Sequence, residues 1–304
     1  MSHIGPFAIV VLALVAVSGC GESSARNVLP QPEQAQELRA AIDNSSQAEG
    51  DGGTEKAAPV RTGWATIKGR FVVEGVAPTL APLRVDKDQS VCAPGGKPVP
   101  NESIEVGTDG GLVNVAVYAQ GLGAEGENVH ESASTPASET VLFDQKECEF
   151  LTRVCPMQVG QELLIKNSDP VSHNTSIDTR RSPAFNQTLS PNGDTRLFKP
   201  VKPEKAPASV VCSVHPWMQA YLLPHENGYV SVSGGDGSFE IKNLPAGIDL
   251  KIQVWHEALK KFDNIEVNGT KTTWKRGVVK LDSPLEPDEE RELIIKIPAG
   301  LFGG

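Results

Sequence analysis

The stretch VVCSVHPWMQAYL, residues 210–222, decides how the rest of the chain is interpreted. It places Cys212, His215 and Met218 at an even spacing of three residues, next to two short apolar runs. A thiol, an imidazole and a thioether are all metal donors. Met218 alone would more often fill a core, and His215 alone would more often be a loop residue. The three together indicate a metal site.

The donor types select the metal. Thiolate and thioether sulfur are soft ligands and imidazole is intermediate, a set that suits copper better than magnesium, calcium or a closed zinc site. A blue-copper centre combines one cysteine, two histidines and a distant methionine, so one histidine is missing from the stretch. His173, which follows an apolar strand in LLIKNSDPVSHNTSI, is the best candidate. His225 and His256 are its rivals, and both are interpreted as structural or rim residues.

The segment FDQKECEFLTRVCPMQVGQELLIKNSDPVSHN, together with CSVHPWM, resembles the cupredoxin family. The Cys-x-x-His-x-x-Met loop is most similar to the amicyanin and pseudoazurin branch, and the resemblance covers about residues 140–226. It implies a Greek-key β-sandwich that binds one type 1 copper ion. The implied ligands are His173, Cys212, His215 and Met218, and Asn174 is implied to tie the two ligand loops together beside the thiolate.

The resemblance also implies a function, single-electron transfer on a rigid β scaffold that holds one ligand geometry for both oxidation states. In the family the ring edge of the residue matching His215 often faces the partner, with Pro216 and Trp217 shaping an apolar contact here. The expected partner is a redox protein such as a c-type cytochrome or an oxidoreductase. A copper carrier or sensor, and a structural or adhesive surface protein, are the alternatives.

No enzymatic activity is expected. The six histidines of the chain are too few for a multicopper oxidase, and a methionine three residues after the histidine has no role in a Cys–His hydrolase. The formal net charge of -10 also disfavours a nucleic-acid partner, which requires a basic face.

The N-terminus predicts export. MSHIGPFAIVVLALVAVSGC has an apolar run that is too short to span a bilayer comfortably and is typical of a secretory signal. Its ending, VSGC, resembles the lipobox of bacterial lipoproteins, which implies a signal peptide over residues 1–19 and a lipidated Cys20. Residues 20–62 contain no aromatic side chain and are expected to be a disordered tether. The predicted location is a membrane-anchored lipoprotein facing the periplasm or the cell surface.

The 29 glycines, the 23 prolines and the short alternating valine runs favour an all-β fold. The expected copper domain occupies residues 63–226, with its core at about residues 140–226. One short helix is expected elsewhere in the pair of sandwiches, near WHEALKK. Residues 227–300 contain DGSFEIKNLPAG and resemble the transthyretin-like carboxypeptidase regulatory domain, which implies a second, smaller β-sandwich. That sandwich is either sequential or completed by strands from residues 63–120, which would nest the copper domain inside it.

An exported protein lies in an oxidising setting, where cysteines form disulfides. Cys92, Cys148 and Cys155 remain once Cys20 and Cys212 have been assigned, and three pairings are open. We favour the pair Cys92 and Cys148, because both flank short β segments before the copper core. Cys155 would then be a buried thiol.

Overall fold

The computed structural model describes residues 60–193 and 195–302. The expected signal peptide, the lipidation site Cys20 and the tether up to residue 59 lie outside the described residues. The described chain is built mainly from 18 β-strands with short helical turns between them.

The strands are β1 (Gly63–Glu74), β2 (Ala116–Gln120), β3 (Thr140–Lys146), β4 (Glu149–Phe150), β5 (Val154–Gln158), β6 (Glu162–Asn167), β7 (His173–Asp178), β8 (Phe185–Leu189), β9 (Thr195–Phe198), β10 (Ala208–Val211), β11 (Gln219–His225), β12 (Val230–Val232), β13 (Ser238–Ala246), β14 (Lys251–Trp255), β15 (Ile265–Val267), β16 (Thr270–Thr272), β17 (Val278–Val279) and β18 (Glu290–Pro298). Two single-turn helices are α1 (Gln89–Cys92) and α2 (Glu131–Ser134), and 3₁₀ turns cover Pro94–Gly96, Thr108–Gly110, Lys275–Gly277 and Ala299–Leu301.

Strands β3 to β11 form one sandwich, which we call the inserted sandwich. Its two sheets have the strand orders β5-β11-β10-β7-β8 and β4-β3-β6-β9. Apolar side chains from both sheets, among them Phe143, Ile165 and Val210, share one buried cluster. Within a strand the cluster takes every second residue, for example Leu163 and Ile165 in β6, as expected when one face of each strand points into a core.

The remaining strands form the outer sandwich, whose sheets have the orders β13-β1-β18-β15-β16 and β12-β2-β14-β17. β1 pairs in parallel with β18 over nine residues, and β2 lies between β12 and β14. Strands from both ends of the described chain therefore share the same sheets, which favours the nested arrangement over the sequential one. The domain boundaries given above stay predictions.

The prediction of an all-β fold with a β-sandwich and a second β domain is confirmed. Two details differ. In the described chain each sandwich has one five-stranded and one four-stranded sheet, so the second is not the smaller one. The expected helix at WHEALKK is absent from the described residues 255–261, where Trp255 ends β14 and a short turn follows. There the His256 ring nitrogen accepts the N–H of Ala258, and Leu259 N–H bonds back to the His256 carbonyl, which closes a turn instead of a helix.

The two sandwiches contact each other through strand β2 and its neighbours. Val117 and Ala119 point into the outer core, whereas Ala116 and Tyr118 pack with Val154 and Leu223 of the inserted sandwich. Both faces of β2 are thus covered, which explains why its sequence is apolar without alternation.

A buried ion pair crosses the same contact. Arg153 of the inserted sandwich donates to both carboxylate oxygens of Glu257 at 2.7 and 2.6 Å. The Arg153 guanidinium also donates to the carbonyl of Gln219, the residue that follows Met218. The outer sandwich is therefore connected by hydrogen bonds to the end of the 212–218 loop.

Candidate metal centre

The candidate metal centre lies at one end of the sheet that contains β10. Cys212 follows the last residue of β10, His173 is the first residue of β7, and these two strands pair antiparallel. The loop that carries His215 and Met218 connects β10 to β11, its other neighbour in the sheet. β10 lies between β7 and β11, so Cys212 and His173, which are 39 positions apart in sequence, meet at one end of the sheet.

Three of the four predicted ligands have donor atoms that converge. The Nδ1 atoms of His173 and His215 are 2.9 Å apart, and Nδ1 of His215 is 4.0 Å from Sγ of Cys212. Donor atoms of all three residues lie within 4.8 Å of one another. Their side chains are buried, with exposures of 0% for both histidines and 1% for Cys212.

These donors fit a copper ion. Metal–nitrogen bonds of about 2.0 Å and metal–sulfur bonds of about 2.3 Å can join nitrogen and sulfur atoms up to about 4.3 Å apart. The 4.0 Å between Nδ1 of His215 and Sγ of Cys212 falls within that limit. A thiolate with two imidazoles is the in-plane donor set of type 1 copper. The residues present therefore match the group that the sequence predicts.

Met218 lies in the loop that the ligands share. Its N–H donates to the carbonyl of His215 at 2.9 Å, and its carbonyl accepts the N–H of Cys212 at 3.3 Å. Its side chain is 2% exposed and belongs to the same apolar cluster as Cys212. The loop is thus closed on itself, and the role of Met218 as a weak fourth ligand stays a prediction.

The sulfur of Cys212 accepts hydrogen bonds from the backbone. The N–H groups of Asn174 and His215 lie 3.3 and 3.4 Å from Sγ. Burial raises the pKa of the Cys212 thiol, but hydrogen bonds from His173 and from these backbone groups outweigh burial and lower the pKa below its usual value. The site therefore favours the thiolate, which is the form that binds metal.

Asn174 connects the two segments that carry the predicted ligands. Its side-chain oxygen accepts from the N–H and hydroxyl of Ser213 at 3.3 and 2.9 Å. Its side-chain nitrogen donates to Asn186 and to the carbonyl of Gln187, both in β8. One amide thus fixes the residue after Cys212 to the strand that carries His173.

A carboxylate holds the outer nitrogen of His173. Nε2 of His173 lies 2.7 Å from Oδ2 of Asp169, whose oxygens also accept the N–H groups of Glu147 and Cys148. Burial lowers the pKa of His173, but Asp169 and Cys212 outweigh burial and raise the pKa to about 9. At neutral pH an incoming cation must therefore displace a proton from this imidazole.

His215 is also backed by a carboxylate, from a distant part of the chain. Its Nε2 lies 2.8 Å from Oδ2 of Asp88, which comes 127 residues earlier. Burial lowers the pKa of His215, against the opposing effect of Asp88. The implied exposure of the His215 ring edge is not found, because the side chain is 0% exposed and Asp88 covers its outer nitrogen. Trp217 packs 5.0 Å from the His215 ring, and Pro216 is exposed.

The remaining cysteines lie in two places. Cys92 and Cys148 form a disulfide with a Cα–Cα distance of 5.1 Å, and their sulfur atoms are within 4.8 Å of a ring nitrogen of His215. Cys155 is a buried free thiol in β5, and burial raises its pKa to about 12.

The rival histidines do not join the group. His225 is 3% exposed and contacts the Tyr118 ring edge-on, and His256 is 2% exposed and contacts the Phe302 ring edge-on. Both are buried structural residues, so the alternative of a rim position is wrong for each.

Sequence reasoning missed the two carboxylates. The separation of four residues between Asp169 and His173, inside a segment already singled out, was a usable signal. No local signal connects Asp88 to His215, because only the fold brings them together.

Within the described residues no helix is long and apolar enough to cross a bilayer.

No protein-family model matches the chain, and no curated protein matches it. Among solved structures it is similar to a copper-containing nitrite reductase from Thermus scotoductus SA-01, with 20% identity over 33% of this chain and a TM-score of 0.27. The match spans 25% of the nitrite reductase. An oxidized mutant of amicyanin matches with 13% identity, over 31% of this chain and 90% of that one, with a TM-score of 0.26. A purple cupredoxin from Nitrosopumilus maritimus matches with 19% identity, over 28% and 97%, with a TM-score of 0.23.

Proposed function

We propose that this chain is an extracytoplasmic type 1 copper protein that passes single electrons between redox partners and acts as a carrier rather than an enzyme. The observation that supports this most strongly is the convergence of the Nδ1 atoms of His173 and His215 with Sγ of Cys212 in a buried position. Attachment to a membrane through a lipid on Cys20 belongs to the same proposal and is supported by the lipobox-like sequence.

Bound copper supplies a one-electron couple at this site. His173 and His215 would hold it through Nδ1, Cys212 through its thiolate, and Met218 as the weak fourth donor. The chain contributes a fixed arrangement of these donors. Strands β7, β10 and β11 are neighbours in one sheet, so their relative positions are set by backbone hydrogen bonds.

Outer hydrogen bonds add to this rigidity. Asp169 orients His173, and two backbone N–H groups point at the sulfur of Cys212. Groups fixed in this way do not have to move when the charge at the centre changes by one, which favours fast transfer.

The test is a Cu(II) titration of the purified full chain, recorded as a visible absorption spectrum and followed by measurement of the reduction potential. We expect one equivalent of copper to give an intense blue or purple charge-transfer band with a reversible one-electron couple. Cys212→Ser should lose the band. Cys155→Ser is the matched control, because it removes the other free buried thiol and should leave the band unchanged.

Other outcomes would decide against the proposal. Colourless binding of copper would support a carrier or sensor of copper, and no binding would support a structural role. A His173→Ala variant that keeps the full spectrum would show that His173 is not a ligand.

A further inference from the structure

The short segment over residues 85–92, which we call the cap, lies against the candidate metal centre. It contains Asp88, whose carboxylate reaches Nε2 of His215, and Val85 and Val91 pack against the apolar cluster that includes Cys212. The cap comes from a part of the chain that precedes β2, the central strand of an outer-sandwich sheet. The cap is therefore not part of the strands that carry the predicted ligands, and it contacts the ligand loop through His215.

The local structure of the cap indicates that Asp88 is used for this contact. Asp88 precedes α1, at the position where an aspartate ordinarily accepts the N–H groups of the first turn. Here the side chain makes no capping hydrogen bond, and the backbone of Asp88 is left-handed with φ of 48°. The side chain of Asp88 is therefore not used to cap α1 and contacts Nε2 of His215 instead.

A disulfide holds the cap in place. The N–H of Cys92 donates to the carbonyl of Asp88 at 2.9 Å, and Cys92 is joined to Cys148. The N–H of Cys148 donates to Oδ2 of Asp169, which in turn accepts from His173. The disulfide therefore joins the segment that carries Asp88 to the residue whose N–H binds the carboxylate of Asp169.

The chemistry of such a contact is well defined. A carboxylate that accepts the outer N–H of a metal-binding imidazole fixes the ring orientation, keeps the other nitrogen directed at the metal and raises its basicity. Added negative charge stabilises the more positive of two metal oxidation states. The Asp88 side chain is 36% exposed, so water screens part of its charge, but the imidazole that it contacts is fully buried, where the effective dielectric is lower.

We propose, on the basis of the copper site proposed above, that Asp88 is a positioning residue that orients His215 and favours Cu(II) over Cu(I), with the Cys92–Cys148 disulfide holding it in place. The cap is thus part of the metal centre and sets its reduction potential from outside the ligand loop.

The test compares two single substitutions in the copper-loaded full chain. Asp88→Asn keeps the size of the side chain and removes its charge. We expect Cu(II) affinity to fall about ten-fold more than Cu(I) affinity, which in a one-electron couple is a rise of about 59 mV in reduction potential. Asp86→Asn is the matched control, because it removes the same charge two residues away from an exposed side chain that pairs with Arg84 at 3.8 Å.

The two variants separate a specific contact from a general charge effect. The proposal is supported if the reduction potential rises several times more in Asp88→Asn than in Asp86→Asn. Equal rises would overturn it, because they would show only long-range electrostatics, and so would an unchanged potential at Asp88→Asn. Thermal unfolding of both variants without copper checks that each is folded.

The disulfide is tested in a third background. With Cys92→Ser and Cys148→Ser combined, adding Asp88→Asn should change the potential several-fold less than in the parent chain, since the cap is no longer held. An undiminished change would overturn the role of the disulfide. If the unmodified chain shows no copper band or couple, the proposed function itself fails. If it shows both but Asp88→Asn has no effect, only this inference fails.

Discussion

The two sandwiches have the same numbers of sheets and described strands, but they differ in how their buried polar side chains are grouped. The outer core is mainly aliphatic and aromatic, with Ser233 and His256 among its buried polar side chains, whereas one end of the inserted sandwich buries Asp169, His173, Asn174, Thr175 and His215 side by side. Burying polar groups costs stability unless each is hydrogen-bonded. A concentration of polar side chains at one end of a sandwich therefore indicates chemistry, and the mainly apolar core indicates a scaffold.

The largest expected effect comes from the scaffold. Phe71 in β1 is 0% exposed and packs 5.0 Å from the ring of Phe239. Phe71→Ala should lower the free energy of unfolding by about 3–5 kcal/mol, since it leaves a large cavity. Urea denaturation measures this, and the copper spectrum of the folded variant should be unchanged.

The matched control for Phe71 is Val76→Ala, at a side chain that is 92% exposed. It should change the free energy of unfolding by less than about 0.5 kcal/mol. Loss of the copper spectrum in Phe71→Ala under conditions where the chain is still folded would contradict the division between scaffold and site.

The next largest effect is a dependence of the free energy of unfolding on pH, which originates in the outer sandwich. Burial lowers the pKa of His256 to about 4, so the folded chain keeps it neutral while the unfolded chain protonates it below about 6.5. The unfolded state then binds more protons, and stability falls as pH decreases from 6.5 to 4. The decrease in the free energy of unfolding should reach about 3 kcal/mol and should not increase further below pH 4.

Urea denaturation of the copper-free chain at several pH values measures this dependence. His256→Asn keeps an acceptor for the Ala258 N–H but cannot be protonated in this range, so its profile should be flatter. Parallel profiles for the two chains would show that His256 is not responsible.

A third test concerns the contact between the two regions. Glu257→Gln removes the charge that pairs with Arg153, in a side chain that is 5% exposed. The free energy of unfolding should fall by about 1.5–3 kcal/mol, because a charged hydrogen bond is weakened in a buried place. Glu266→Gln, which breaks the more exposed pair with Lys296, is the control and should have a clearly smaller effect.

The Glu257→Gln variant also tests whether the outer sandwich affects the metal centre. Arg153 donates to the carbonyl of Gln219 beside the ligand loop. A changed copper spectrum in this variant would mean that the outer sandwich helps to shape the metal centre, and is more than a support.

The smallest expected effect lies inside the site. Thr175 is 0% exposed, and within the described residues its hydroxyl has no hydrogen-bond partner. Thr175→Val should raise the free energy of unfolding, by less than about 1 kcal/mol, because an unpaired buried hydroxyl is removed at constant shape. Thermal unfolding of the copper-free chain measures it.

The control for Thr175 is Ser233→Ala in the outer sandwich. The hydroxyl of Ser233 donates to the carbonyl of Leu112 at 2.7 Å and accepts the N–H of Val115 at 2.9 Å. This variant should be destabilised, since it leaves both partners unpaired. Destabilisation of Thr175→Val by a similar amount would show that the Thr175 hydroxyl is bonded, for example to a buried water.

Much of the fold could be predicted because strand signals are local. Alternation and glycine-bounded runs indicated an all-β chain, and the number and spacing of donor residues indicated a metal site. One error came from a pairing between distant strands, and the other came from a local hydrogen bond of a side chain. The size of the outer sandwich depends on β1 pairing with β18, more than two hundred residues away, and the helix expected near His256 was replaced by a turn that its ring stabilises.

The sequence by itself determined the donor types and the short loop that carries Cys212, His215 and Met218, because these follow from composition and local spacing. Only the tertiary structure decided that His173 faces this loop and that Asp88 covers His215. The physical reason is that sheet pairing and a disulfide bring together residues from distant parts of the chain, and neither leaves a periodic pattern in the sequence between them.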